Sequence, residues 1–202
     1  MTFIVVEGGE AVGKSTQVDL LVERLQAAGH VVNKTREPGG TQKGVELRQK
    51  LLHDPRGVDP DEELELMLED RRIHLEERIG PDLEQGIVVV CDRFSPSTLA
   101  YQGVARGLGL EKVEEKSRAV TGNVEPDVVV VLDLPDDVAE ARLTGDRDRF
   151  ERAGAEFHAR VRAAYRELAP ARGWVIVDAS GSPQEVADRV WVAVEPYIQH
   201  DL

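Results

Sequence analysis

The sequence predicts an α/β protein with a five-stranded parallel sheet flanked by helices on both faces. Short apolar runs rich in valine and isoleucine alternate with longer amphipathic, charged segments, the rhythm of strand, crossover helix, strand. The first run passes through a glycine-bearing turn into a helical pattern, the opening of a βα unit. With 202 residues and 41% hydrophobic content, the chain can bury one full core, so a single domain over 1–202 is expected.

Strands are expected at 3–6, 30–34, 87–91, 128–132 and 175–177. Between the first two, Val18, Leu21, Val22 and Leu25 recur at helical spacing, and Gly29 stands where a C-terminal cap would. A long charge-rich helical stretch covers 60–83, and shorter helices are expected at 136–143 and 157–168. The last helix begins near Ser182 and Pro183, a capping serine followed by a first-turn proline, and carries Val186, Val190 and Val194 on one face.

The formal net charge of −13 excludes a broad basic surface for a nucleic acid polymer or an anionic membrane. Any phosphate must meet a local cluster of cations. Cys91 is the single cysteine and follows the apolar run 87–90, so it reads as a buried thiol in a reducing compartment. The N-terminal apolar run is too short for a signal peptide or a membrane span, and the cytoplasm is the expected setting.

In FIVVEGGEAVGKSTQ, Gly8 is separated by four residues from Gly13-Lys14-Ser15. A strand, a glycine turn and a helix N-terminus surround one concavity with backbone N–H groups, which suits a triphosphate. Gly8, Gly9, Glu10, Ala11, Val12, Gly13, Lys14, Ser15 and Thr16 form this ATP-binding loop. Lys14 supplies a point charge to the β- and γ-phosphates, and the Ser15 hydroxyl a ligand for Mg2+. Asp92, at the carboxyl end of the third strand, lies where the metal shell needs a carboxylate. Arg93 beside it suits an acceptor that is itself a phosphate.

The segments TREPGGT (35–41), ELRQKLL (46–52), DRRIH (70–74), DRFSPSTLAYQG (92–103) and DRFE (148–151) resemble thymidylate kinase, in that family's order and spacing, over essentially the whole chain. The resemblance implies the P-loop kinase fold and transfer of the γ-phosphoryl group of ATP to thymidine monophosphate (dTMP), a step of pyrimidine deoxynucleotide biosynthesis. It implies that Arg48 and Arg93 hold the acceptor phosphate and that Arg71 contacts the base. Ser97, Thr98, Tyr101 and Gln102 would line the nucleoside pocket, with Glu37 beside it and Tyr101 crowding the ribose 2′ position. Glu10 takes the family's acidic position in the loop. A lid at about 144–154 would bring Arg147 or Arg149 to the transferring phosphate, with Arg142 at its margin, since the loop has no basic residue between Gly8 and Gly13. A homodimer is also implied.

Periodicity alone gives other readings. Arg48 and Arg71 lie in charge-rich helices, where an arginine pairs with a nearby glutamate in solvent. Tyr101 reads equally as core, His74 as a helix-surface histidine, and Arg36 and Glu37 as shapers of the turn at Pro38. Two positions depart from the family pattern. Met67 stands where a phenylalanine usually stacks on the base, and Ala11-Val12 replaces a smaller Gly-Ala pair. The expected chemistry is direct in-line transfer without a covalent intermediate. The alternatives are a kinase of another nucleoside monophosphate or of a deoxynucleoside, and a nucleotide-dependent switch. The switch is disfavoured because Asn33-Lys34-Thr35-Arg36 lacks the aspartate of a guanine reader.

Overall fold

A computed structural model describes residues 1–54, 58–122, 124–142 and 149–198. Its five strands are β1 (Phe3–Gly8), β2 (Val32–Arg36), β3 (Val88–Asp92), β4 (Val128–Asp133) and β5 (Val175–Asp178). They form one parallel sheet in the order β2-β3-β1-β4-β5. In β1, Phe3 and Val5 face one apolar layer while Ile4 and Val6 face the other. The alternation repeats in β3, with Val89 and Cys91 on the first side and Val88 and Val90 on the second. Strands β1 and β3 are therefore covered on both faces, which is why they read as near-continuous apolar runs.

Helix α1 (Lys14–Ala27) and helix α9 (Pro183–Val194) cover the second layer. The first is covered by α3 (Pro60–His74), α6 (Leu110–Thr121), α8 (Ala155–Arg172) and a π-helical stretch, Leu99–Ala105. Helices α2 (Gln42–His53), α4 (Gly80–Glu84), α5 (Ser95–Thr98) and α7 (Asp136–Arg142) complete the described set. The long helix expected at 60–83 is α3 and α4 joined through a π-helical turn, Leu75–Ile79. The helical segments within 95–121 were not anticipated as elements. No described helix is long and apolar enough to cross a membrane.

The strands run one or two residues further than expected at their carboxyl ends, β3 starts one residue later, and the largest shift of a start is in β2. Strand β2 starts at Val32 rather than at residue 30, because His30 belongs to the stop signal of α1. Gly29 adopts φ +94° and donates to Gln26 O, while His30 N donates to Leu25 O at 3.1 Å. These paired bonds satisfy the last carbonyls of the helix and turn the chain before pairing begins. At the other end of the fold, Ser182 accepts from Glu185 N and the Glu185 side chain accepts from Ser182 N, a full capping box.

Strand β1 lies between β3 and β4, with its sequence neighbour β2 beyond β3. The connections from β1 and β3 thus leave in opposite directions. A crevice opens at the carboxyl ends of these strands, where ligands bind in open α/β sheets.

Candidate active site

The loop after β1 is shaped by tight backbone approach. Gly8 has φ +136°, and a Cβ there would lie 2.4 Å from Leu132 O, so only glycine fits. Gly13, at φ +93°, leads into α1 with its N–H groups facing the crevice. Ala11 also occupies the left-handed region, at φ +60°, a conformation costing a residue with a Cβ roughly 1–2 kcal/mol. Val12 is 2% exposed and packs into the layer beneath α1. The two unusual loop residues therefore part company, Ala11 lining the cavity and Val12 facing the core. Lys14 is buried, and its Nζ donates to Gly9 O at 2.6 Å and Gly8 O at 3.3 Å. Burial, seconded by Arg93, lowers its pKa against the pull of Glu10, Asp92 and Glu7.

Ser15 Oγ donates to Asp92 Oδ2 at 3.1 Å. Among the described residues no cluster of three or more His, Cys, Asp or Glu could hold a metal. A hydroxyl and one carboxylate, both hard oxygens, suit an ion that takes few protein ligands and completes its shell with water and phosphate, as Mg2+ does.

Arg93 adopts φ +72°, a strained conformation for a side-chain-bearing residue and one that clusters at active sites. Its Nη1 donates to Gly8 O at 3.1 Å and Ser97 Oγ at 3.2 Å, and its Nη2 donates to Glu10 Oε1 at 2.6 Å. The guanidinium lies 4.9 Å from the centroid of Tyr101, whose hydroxyl donates to the same Glu10 oxygen at 2.8 Å. Burial would raise the Glu10 pKa, but Arg93 and Lys14 together hold it at about 2. Glu10 is thus ionised throughout the neutral range, which suits an anchor and not a proton acceptor.

Beneath this group lies Glu7, a fully buried residue of β1 that sequence reasoning did not single out. Oε1 accepts from Phe94 N and Ser97 N, and Oε2 accepts from Ser97 Oγ at 2.6 Å and Tyr165 Oη at 2.7 Å. Burial raises its pKa. Glu7 braces the turn that carries Arg93 and Ser97; the only sequence signal was a glutamate ending an apolar strand before Gly8.

On the opposite wall, two helix-surface readings are overturned. Arg71 is 2% exposed. Its Nε donates to Glu37 Oε2 and its Nη2 to Thr98 Oγ1, both at 2.9 Å, and it lies 4.9 Å from the Phe94 ring centroid. Nη1 is buried without a hydrogen-bond partner. His74, read as a surface residue, is fully buried, because α3 turns this face onto β2 and the 37–40 turn. Arg48 is half-buried and donates to Pro38 O at 3.1 Å.

Asp70 sits behind this wall at 1% exposure. Oδ1 accepts from Gly39 N at 3.0 Å, while Oδ2 has no partner. Burial, then the charge of Glu37, raises its pKa from 3.8 to about 6. The folded protein therefore binds this proton more tightly than the unfolded chain, and stability falls as pH rises from about 4 to 6. Asp70→Asn is expected to stabilise the protein by about 1–3 kcal/mol at pH 8 and by little at pH 4, as read by urea unfolding at both pH values.

Arg149, one of the two lid candidates for the transferring phosphate, makes its contacts elsewhere in this structure. Its Nε donates to Leu51 O at 2.9 Å, its Nη1 to Val58 O at 3.0 Å, and its Nη2 to Glu63. It is thereby tied to the α2–α3 side, drawn by the buried carboxylate of Glu63. That carboxylate also receives Arg106 and the Gln102 side-chain amide, the latter at 2.6 Å. Arg147 lies outside the described residues, and Arg142 ends α7 on the surface.

One cavity of about 340 Å³ collects these pieces. Its lining includes Glu10, Ala11, Gly13, Lys14, Ser15 and Thr16 of the loop, with Asp92. It also includes every acceptor-side candidate: Glu37, Arg48, Met67, Arg71, Arg93, Ser97, Thr98, Tyr101 and Gln102. Gly8, Gly9, Val12 and Arg149 do not line it. Leu52, Phe94 and Phe150 do, although they were not anticipated. Phe150 packs edge-on to Tyr101 with ring centroids 6.0 Å apart, and its position beside Arg149 was the one available signal. Tyr101, at 4% exposure, is at once a core residue and a wall of the site. The geometry joins the glycine loop after β1 and an arginine-walled pocket in one space.

A sequence model of the thymidylate kinase family matches residues 6–190. A thymidylate kinase of Synechococcus sp. (strain JA-2-3B'a(2-13)) is 51% identical over 197 residues, covering 96% of this chain and 94% of the relative. One from Syntrophotalea carbinolica is 42% identical, with 94% and 93% covered, and one from Deinococcus radiodurans 40% identical, with 95% of each covered.

Proposed function

This chain belongs to the thymidylate kinase family, and on that premise we propose that its cavity holds ATP and dTMP head to head for direct transfer of the γ-phosphoryl group, giving ADP and dTDP. The observation that carries the reading is the shared cavity: Lys14 and Ser15 line the same space as Arg48, Arg71 and Arg93. Two anions repel, and a site that joins them must supply cations on both sides of the reacting phosphorus.

Lys14 would bind the donor β- and γ-phosphates, and Arg93 would bridge the two halves, being bonded to Gly8 of the loop and Ser97 of the acceptor wall. Arg48 would hold the acceptor phosphate. Glu10 and Glu7 position rather than react, fixing Arg93, Tyr101 and the turn between them. Ser15 and Asp92 would hold Mg2+, which when bound neutralises charge between the β- and γ-phosphates. Since Arg149 is engaged by Glu63, Arg147 is the lid residue proposed for the transferred group. The acceptor is already an anion at neutral pH, so no general base is required.

Arg71 and Met67 would meet the base, and the Tyr101 ring, pinned by Glu10, would crowd the ribose 2′ position. Two readings rest on the family and on composition: assembly as a homodimer and a cytoplasmic setting. The test of function is ATP and Mg2+ with thymidine, uridine, cytidine and guanosine monophosphates in deoxy and ribo forms, read as diphosphate formed. Diphosphate is expected with dTMP in clear preference. Acceptor-independent ATP hydrolysis, or a preference for a purine acceptor, would overturn the reading.

A further inference from the structure

We propose that His74 is a positioning residue for nucleobase recognition, acting on Arg71 through Glu37; the proposal rests on the reading of Arg71 as the residue that meets the acceptor base. His74 does not line the cavity, yet no part of it reaches solvent. Its Nε2 lies 2.6 Å from Thr35 Oγ1 on β2, and its Nδ1 lies 3.0 Å from Glu37 Oε1. A neutral imidazole with the proton on Nδ1 satisfies both contacts, donating to the carboxylate and accepting from the threonine hydroxyl.

Glu37 in turn accepts from Arg71 Nε through its other oxygen, at 2.9 Å. Thr98 accepts from Nη2, and Phe94 flanks the guanidinium. A planar fork held at two nitrogens has its third direction fixed, and Nη1 is the nitrogen left without a partner. The Arg71 side chain lines the cavity, so the contacts that fix its plane also fix how it meets a bound base.

The ring also sets the backbone nearby. A Cβ on Gly40 would lie 2.3 Å from His74 Nε2, so the glycine turn closes directly on the imidazole. The chain of contacts thus runs from a strand in the sheet, through His74 and Glu37, to Arg71.

Two half-sized replacements separate this role from simple packing. In His74→Asn the amide nitrogen can take the place of Nδ1 and keep the contact with Glu37; in His74→Gln it falls near Nε2 and keeps only the contact with Thr35. The expected result is a KM for dTMP within about threefold of wild type for His74→Asn and raised about tenfold for His74→Gln, with KM for ATP within about twofold in both. Equal effects of the two variants, or ATP and dTMP constants moving together, would overturn the proposal. If neither variant folds, Thr35→Val carries the test: a rise in KM for dTMP alone supports the relay and an unchanged value overturns it. A wild-type chain that forms no dTDP would overturn the reading of the site itself, an outcome distinct from variants that fail to split.

Discussion

Lys14→Ala is expected to lower kcat by about a hundred- to a thousandfold while leaving the fold intact. The ammonium is held at the mouth of the loop by the Gly8 and Gly9 carbonyls. In a buried site an oriented charge acts on developing negative charge at low effective dielectric, where each interaction is stronger than in water. The fold should survive because the apolar layer beneath α1 is built by Val12, Val18 and Leu21. Circular dichroism and thermal unfolding would show the native state. Single-turnover rates with saturating ATP and dTMP would show the lost chemistry, and unchanged rates would refute the mechanism.

Replacing Arg93 by glutamine is expected to cost at least about ten- to a few-hundredfold in kcat/KM for dTMP, since a charge-assisted phosphate contact is worth roughly 1.5–3 kcal/mol. The structure adds a second consequence. Arg93 is the largest influence holding the Glu10 carboxyl down against burial, so without it the Glu10 pKa should climb. In the wild type, the stabilisation from Glu10 is fully present above its ordinary pKa of 4.5 and is lost as pH falls toward about 2. In Arg93→Gln the buried Glu10 carboxyl loses its main offset to desolvation, so less of that stabilisation, or none, remains above pH 4.5, and Glu10→Gln in the same background should relieve the cost of the unpaired buried charge at neutral pH. Unfolding free energies from pH 4 to 8 for the two single variants and the double would measure the coupling. Strict additivity would show that the 2.6 Å pair has no such role.

The phosphate loop and the parallel sheet were legible because their causes are local. A strand, a glycine at a position that excludes a Cβ, and a lysine opening a helix appear in sequence order, and their spacing reflects backbone geometry that no distant residue must supply. The valine runs of β1, β3 and β4 announced strands covered on both faces. The start of β2 was misplaced because the two-bond stop after α1 uses His30, a residue whose β-region neighbours mask it.

The charged residues were not legible in the same way. Arg71 and His74 share a helix with many solvent-exposed charges, and nothing in a 3.6-residue period distinguishes a glutamate partner in the next turn from Glu37 on another segment. Arg149 was one of two lid candidates, and its contact with Glu63, distant in the chain and fully buried, could not be read from the sequence. What the residues announced in order was the chemistry available: a nucleotide loop, an acceptor pocket and the cations to join them. The fold settled which carboxylate claims which cation, because a buried charge takes its partner from whatever desolvated group packing brings within reach, and chain separation carries no information about that distance.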